Sequence, residues 1–123
     1  LRDSLSPDDG GGGGDRGTDG NNARPISFVT VGDGSINNAH FLSAINLARH
    51  ARHRRHRCPV VFGISDNGLS ISYRGRGYLD TLFTDRDRYL PVYRADGRHL
   101  FDVYDKTKRA TDYARKYSAP AIV

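Results

Sequence analysis

The chain has 123 residues, enough for one domain, with one cysteine and no methionine. No apolar run approaches the length of a membrane span, no apolar signal segment follows Arg2, and a lone cysteine excludes an internal disulfide. Lys plus Arg is 19 against 14 for Asp plus Glu, a net charge of +5, but the excess sits in Arg49, Arg52, Arg54, Arg55 and Arg57, interleaved with His50, His53 and His56.

The start at Leu1 and the missing methionine lead us to expect a piece of a longer protein. Residues 1–24 are polar and rich in Gly and Asp, with an unbroken run from Gly10 to Gly14. This composition reads as a flexible linker or insertion that buries no core. The glycine run neither follows a strand nor opens a helix, so it is no phosphate cradle. Order is expected over 25–123.

Ile26-Ser27-Phe28-Val29-Thr30-Val31 is short, β-branched and aromatic, and stops at Gly32, which predicts a strand. Ser35 to about Arg54 reads as a helix, with Phe41, Ala44, Ile45, Ala48 and Ala51 on one stripe. Cys58 before Pro59 reads as a small buried hydrophobe. Residues 59–65 are almost continuously apolar, as a strand covered on both faces would be. Residues 66–88 read as a long irregular connection, and 91–95 as a third strand. Helical spacing returns from His99 to Tyr117, with Leu100, Val103, Tyr104, Thr107, Ala110, Tyr113 and Ala114 expected to face inward. Ala121-Ile122-Val123 opens a fourth strand. This order predicts an α/β domain with a parallel sheet.

Two motifs fall at strand ends: Gly32-Asp33-Gly34 and Asp66-Asn67-Gly68. In an open parallel sheet, ligands bind beyond the carboxyl ends of the strands. There Asp33 supplies an anionic oxygen and Asn67 a neutral one, a pairing that suits Mg2+, which completes its shell with phosphate and water. Gly34 allows close backbone approach, and Ser35 offers an amide and a hydroxyl to a diphosphate. Each motif alone is a common turn. Two strands, one helix between them and both motifs at the strand ends leave few readings.

Gly32-Asp33-Gly34-Ser35, a helix, then Asp66-Asn67-Gly68 resembles the thiamine-diphosphate motif of transketolases and 2-oxo acid dehydrogenase E1 components. Asp66-Asn67-Gly68-Leu69-Ser70-Ile71-Ser72, Val92-Tyr93-Arg94-Ala95-Asp96-Gly97 and Ala119-Pro120-Ala121-Ile122-Val123 resemble segments of α-type E1 chains, whether separate or fused to a β-type chain. The resemblance covers about residues 25–123. It implies the three-layer parallel sheet of the thiamine-diphosphate-binding fold, incomplete in this segment. It implies thiamine diphosphate and Mg2+ as cofactors. Asp33, the Asn67 side chain and the Leu69 carbonyl would hold the metal, while Gly32, Gly34, Ser35 and Asn67 would line the cofactor.

The implied activity is oxidative decarboxylation of a small 2-oxo acid, with acyl transfer to a lipoyl-bearing acyltransferase (E2). The implied partner completing the site is a β-type E1 subunit or domain. That partner carries the family's activating carboxylate; this chain has no glutamate and offers no catalytic residue of its own. The implied location is the mitochondrial matrix in a eukaryote or the cytoplasm in a bacterium. The alternatives are a transketolase-like transferase and a degenerate structural or regulatory fragment. The Arg/His run reads first as a solvated helix end complementing the dipole, then as an acidic-partner surface, and last as a nucleic-acid patch.

Overall fold

The computed structural model describes residues 24–123, so all but the last residue of the linker expected over 1–24 lies outside the described residues. Three parallel strands form the sheet: β1 (Ser27–Gly32), β2 (Val60–Ser65) and β5 (Ala121–Ile122), in the order β1-β2-β5. Between β2 and β5 lie a small antiparallel hairpin, β3 (Leu69–Ser70) with β4 (Tyr73–Arg74), and two helices, α2 (Tyr78–Leu82) and α3 (Leu100–Tyr117). A 3-10 turn (Asp33–Asn37) and helix α1 (Ala39–His53) join β1 to β2. Among the described residues, no helix is long and apolar enough to cross a membrane.

The expected three-layer α/β arrangement is present, and the alternation along β2 explains it. Phe62 packs with Ile36, Phe41, Ile45 and Ala48 on the α1 face. Val61, its neighbour, packs with Ala110, Ala114 and Ala121 on the α3 face. Side chains of successive strand residues point to opposite faces, so a strand covered on both sides must be apolar throughout. Phe41 and Phe62 meet edge to face at 6.1 Å, a favoured aromatic geometry.

Several expectations need correction. The helix expected over 35–54 is two pieces, broken at Asn38, whose Oδ1 accepts from the His40 amide at 2.8 Å. Asparagine is a strong N-cap because its side chain satisfies an amide the helix leaves unpaired, so α1 starts there. Ala44 on α1 is exposed. The expected strand over 91–95 is a single bridge, Val92 to Ile122, with Tyr93 donating to the Ile122 carbonyl and Ile122 to that of Pro91. Beyond it Arg94 turns away to Asp80, Asp85 and the Phe83 carbonyl, so the chain leaves the sheet. On α3, Leu100 and Tyr104 are exposed rather than inward, because the sheet-facing stripe narrows to the small residues Ala110 and Ala114.

α1 ends in a Schellman arrangement: His56 donates to the Ala51 carbonyl and Arg55 to that of Arg52. Arg55 takes the left-handed conformation (φ 59°) that glycine usually fills there. Ala110 and Ala114 are fully buried and let α3 lie close on Val61 and Ala121. Ala114→Leu is expected to destabilise the protein by about 1–3 kcal/mol through overpacking, read as a lower urea midpoint. An unchanged midpoint would mean that α3 is not seated on the sheet.

Candidate functional site at the strand ends

Gly32 and Ser65 are the last paired residues of the β1–β2 ladder. Asp33 and Asp66 therefore leave neighbouring strands side by side, and both expected motifs occupy one edge of the sheet. Parallel neighbours lie about 4.8 Å apart, so the two loops begin within reach of one small ligand.

The first loop is held from below. Ile36, at 1% exposure, plugs the core directly under the 3-10 turn. Above the plug, Asp33 and Gly34 are half-buried, and Gly34 donates its amide to Asp33 Oδ1 at 2.9 Å. Ser35 is exposed within the turn and precedes α1 rather than opening it, a correction to its expected place at the helix start. The polar end facing this edge is thus the 3-10 turn, and the α1 N-terminus is set back behind Asn38.

The second loop is a pair of Asx turns. Asp66 Oδ1 accepts from the Gly68 amide and Asn67 Oδ1 from the Leu69 amide, both at 2.8 Å. Gly68 has φ 70°, a left-handed value that glycine adopts without strain. The Asn67 carboxamide oxygen keeps a second lone pair for another partner.

The two loops touch. A Cβ on Gly34 would lie 3.3 Å from Ser70 Oγ and 3.6 Å from the Ile71 amide nitrogen. The β3–β4 hairpin thus lies over the turn that carries Asp33. This contact was missed in the sequence, where 66–88 looked irregular; the short apolar-polar run between Gly68 and Gly75 was the available signal. Ile71 stands at the hairpin turn with φ 59° and is 96% exposed. A β-branched residue there is strained by roughly 1–3 kcal/mol, and its side chain gains no packing in return.

Among the described residues, no three or more His, Cys, Asp or Glu side chains come together as a metal cage. The expected set of Asp33, Asn67 and the Leu69 carbonyl contains only one such side chain. It would need the oxygens of a phosphate-bearing ligand to complete a Mg2+ shell.

The start of α3 is fixed by a charged turn. Asp96 accepts from the Arg98 Nε at 3.0 Å and Nη2 at 2.9 Å, and from the Arg98 amide at 3.0 Å. The Asp96 amide in turn donates to Asp102 in the first turn of α3. The Arg98 side-chain hydrogen bonds, then the Arg98 amide, hold the Asp96 carboxyl down at about 2. A depressed carboxyl stabilises the folded state above its ordinary value of 3.8 and loses that contribution as pH falls toward 2. NMR titration should place Asp96 near 2, and Arg98→Ala should return it toward 3.8. An unmoved titration in Arg98→Ala would refute this assignment.

A three-layer α/β domain with its polar turn motifs gathered at one sheet edge is the class of protein defined here. The family model "Dehydrogenase E1 component" matches residues 15–123, and the chain belongs to that family. Pyruvate dehydrogenase E1 component subunit alpha from Rickettsia conorii is 29% identical over 110 residues, covering 84% of this chain and 31% of that protein. Its namesake from Mycoplasma pneumoniae is 27% identical over 103 residues, covering 80% and 27%. The chain thus spans less than a third of the length of these relatives. No solved structure matches it.

Proposed function

We propose that this chain is the part of an α-type 2-oxo acid dehydrogenase E1 component that holds the diphosphate end of thiamine diphosphate with Mg2+. The observation that carries the reading is the Gly32–Ser65 rung, which sets Asp33 beside the Asp66-Asn67-Gly68 turn in a chain of the E1 family. The family match favours this reading over the transketolase-like alternative.

The residues present fit such a group. Asp33 is an anionic oxygen donor at a half-buried position, suited to a hard cation. Asn67 adds a neutral oxygen without adding charge repulsion against a diphosphate. The Leu69 carbonyl, next in the same turn, is the third protein oxygen of the set. Gly32 and Gly34 keep side chains out of the space between the loops, and Ser35 presents an exposed hydroxyl to phosphate oxygens. Gly34 gives its amide to Asp33 Oδ1; with the carboxylate held by a metal, that amide would be a donor available to a diphosphate.

When bound, thiamine diphosphate supplies the electron sink on which a 2-oxo acid loses its carboxylate. This chain's part is to anchor and orient; no residue in it is assigned a proton-transfer role. The substrate is a small 2-oxo acid, the acyl acceptor is a lipoyl-bearing E2, and a β-type E1 chain or domain completes the site.

Titration calorimetry of thiamine diphosphate with Mg2+ into the full-length protein, together with its β-type partner, tests the reading. The intact protein should bind with a strict Mg2+ requirement. Asp33→Ala and Asn67→Ala should each weaken binding by tenfold or more, the loss of a charge-assisted ligand being worth about 1.5–3 kcal/mol. Gly34→Ala should weaken binding without altering the far-UV spectrum. Binding that survives all three substitutions would sink the proposal.

A further inference from the structure

The Arg/His run that the cofactor reading leaves unused lines a cleft at the other edge of the sheet. α1 begins behind the Asp33 turn and runs back to the edge where β2 starts. There an open cavity of about 620 Å³ is lined by Arg52, Arg55 and Arg57. Arg88 and Tyr89 form a second wall, and Tyr117 and Ser118 at the end of α3 form the third.

The second wall is fastened in place. Arg49 Nε bonds Asp87 Oδ2 at 2.7 Å. Asp87 Oδ1 accepts from the amides of Tyr89 and Leu90, and Leu90 is fully buried. Tyr89 then reaches across: its hydroxyl accepts from Arg88 at 2.7 Å and lies 3.1 Å from His53 Nδ1. The third wall is tied in by Cys58, which donates its amide to the Ser118 carbonyl at 2.8 Å.

Among the described residues, none that lines the cleft is acidic. Among the described residues, the ion pairs involve other cations: Asp87 takes Arg49, and Asp112 takes Lys108 and Arg115. Four arginines thus line one concavity with, among the described residues, no carboxylate in its walls. Arginine forks bind tetrahedral oxyanions through paired, charge-assisted hydrogen bonds.

We infer that this cleft binds a small oligophosphate anion, either an inorganic chain or the phosphate chain of a nucleoside polyphosphate. The volume lies in the range of a single small-molecule site. Single-stranded nucleic acid needs an extended groove with free aromatic faces. Here Arg88 already lies over the Tyr89 ring, 4.8 Å from its centre. A phosphate chain also packs several charges into a short length, which matches four arginines around one cavity better than carboxylates spaced along a peptide.

The experiment is calorimetric titration of sodium tripolyphosphate into the full-length protein, the Asp33→Ala variant and the R52Q/R55Q/R57Q/R88Q variant. One saturable site is expected in the first two. Its affinity should fall by roughly a hundredfold in the third, as expected when several charge-assisted hydrogen bonds are lost. Arg55, Arg57 and Arg88 are exposed and Arg52 is half-buried, and circular dichroism verifies the fold; a matching set of Arg→Lys changes should recover part of the affinity. ATP in place of tripolyphosphate separates the two sources: equal affinity assigns the phosphate chain alone, and tighter binding assigns a nucleotide. The proposal is overturned if the intact protein shows no saturable binding. It is equally overturned if binding is lost in Asp33→Ala but kept in the arginine variant, or if an oligonucleotide or an oligo-aspartate peptide binds the cleft and tripolyphosphate does not.

Discussion

The register between β1 and β2 is the constraint on which the other features of this chain depend. Six residues of each strand pair in parallel, from Ser27 with Val60 to Gly32 with Ser65. A slip of one residue would displace Asp33 from Asp66 by a residue along the edge. It would also conflict with the burial of Val61 on one face and Phe62 on the other, since a single step exchanges the faces of a strand. The two-sided apolar core thus enforces the polar geometry at the strand ends. Burial in the middle of the sheet is what keeps two oxygen donors together at its rim.

A second layer of control acts on the loops. Ile36 anchors the Asp33 turn from below, and the β3–β4 hairpin meets it from above at Gly34. The long connection after β2 would otherwise be free to drift. It is held by the Arg49–Asp87 pair, whose side chains are 32% and 17% exposed, and by Leu79, Phe83 and Leu90 in the core. A partly buried pair with extra amide hydrogen bonds is screened less than a surface pair. The pair therefore fixes a loop position more than it adds bulk stability.

The strands β1 and β2, helix α3 and the three-layer class were legible because their signals are periodic or continuous: Val60 to Ile64 for a doubly covered strand, Ala110 and Ala114 for a helix face. The strand-end placement of Asp33 and Asn67 followed from those elements. What escaped was governed by single residues or by contacts distant in sequence. Asn38 overrode the helical stripe by capping α1 locally. Arg94 left the sheet because its guanidinium found Asp80, Asp85 and a carbonyl, a choice with no periodic trace. The hairpin at Leu69–Arg74 has strands of two residues, too short for alternation to register. The Arg/His run reads as a solvated helix end, and His53 to Arg57 are exposed; the wall it faces, Arg88 and Tyr89, left no trace beside it because it lies over thirty residues later in the sequence.

The two polar regions are electrostatically separate, and this decides what the arginines do. The 15 residues of α1 span about 22 Å at the usual helical rise. That is more than twice the screening length at physiological salt, roughly 8 Å. Charges at the far end of α1 therefore do little for any ligand at the Asp33 and Asn67 rim. The α1 dipole does not demand so large a cluster either, because one or two cations in the last turn exhaust its local benefit. Arg52, Arg55 and Arg57, joined by Arg88 from a distant segment, exceed that need. Their clustering is a local property of the strand-entry edge, and the anion inferred for that cleft accounts for it independently of whatever the Asp33 and Asn67 rim holds.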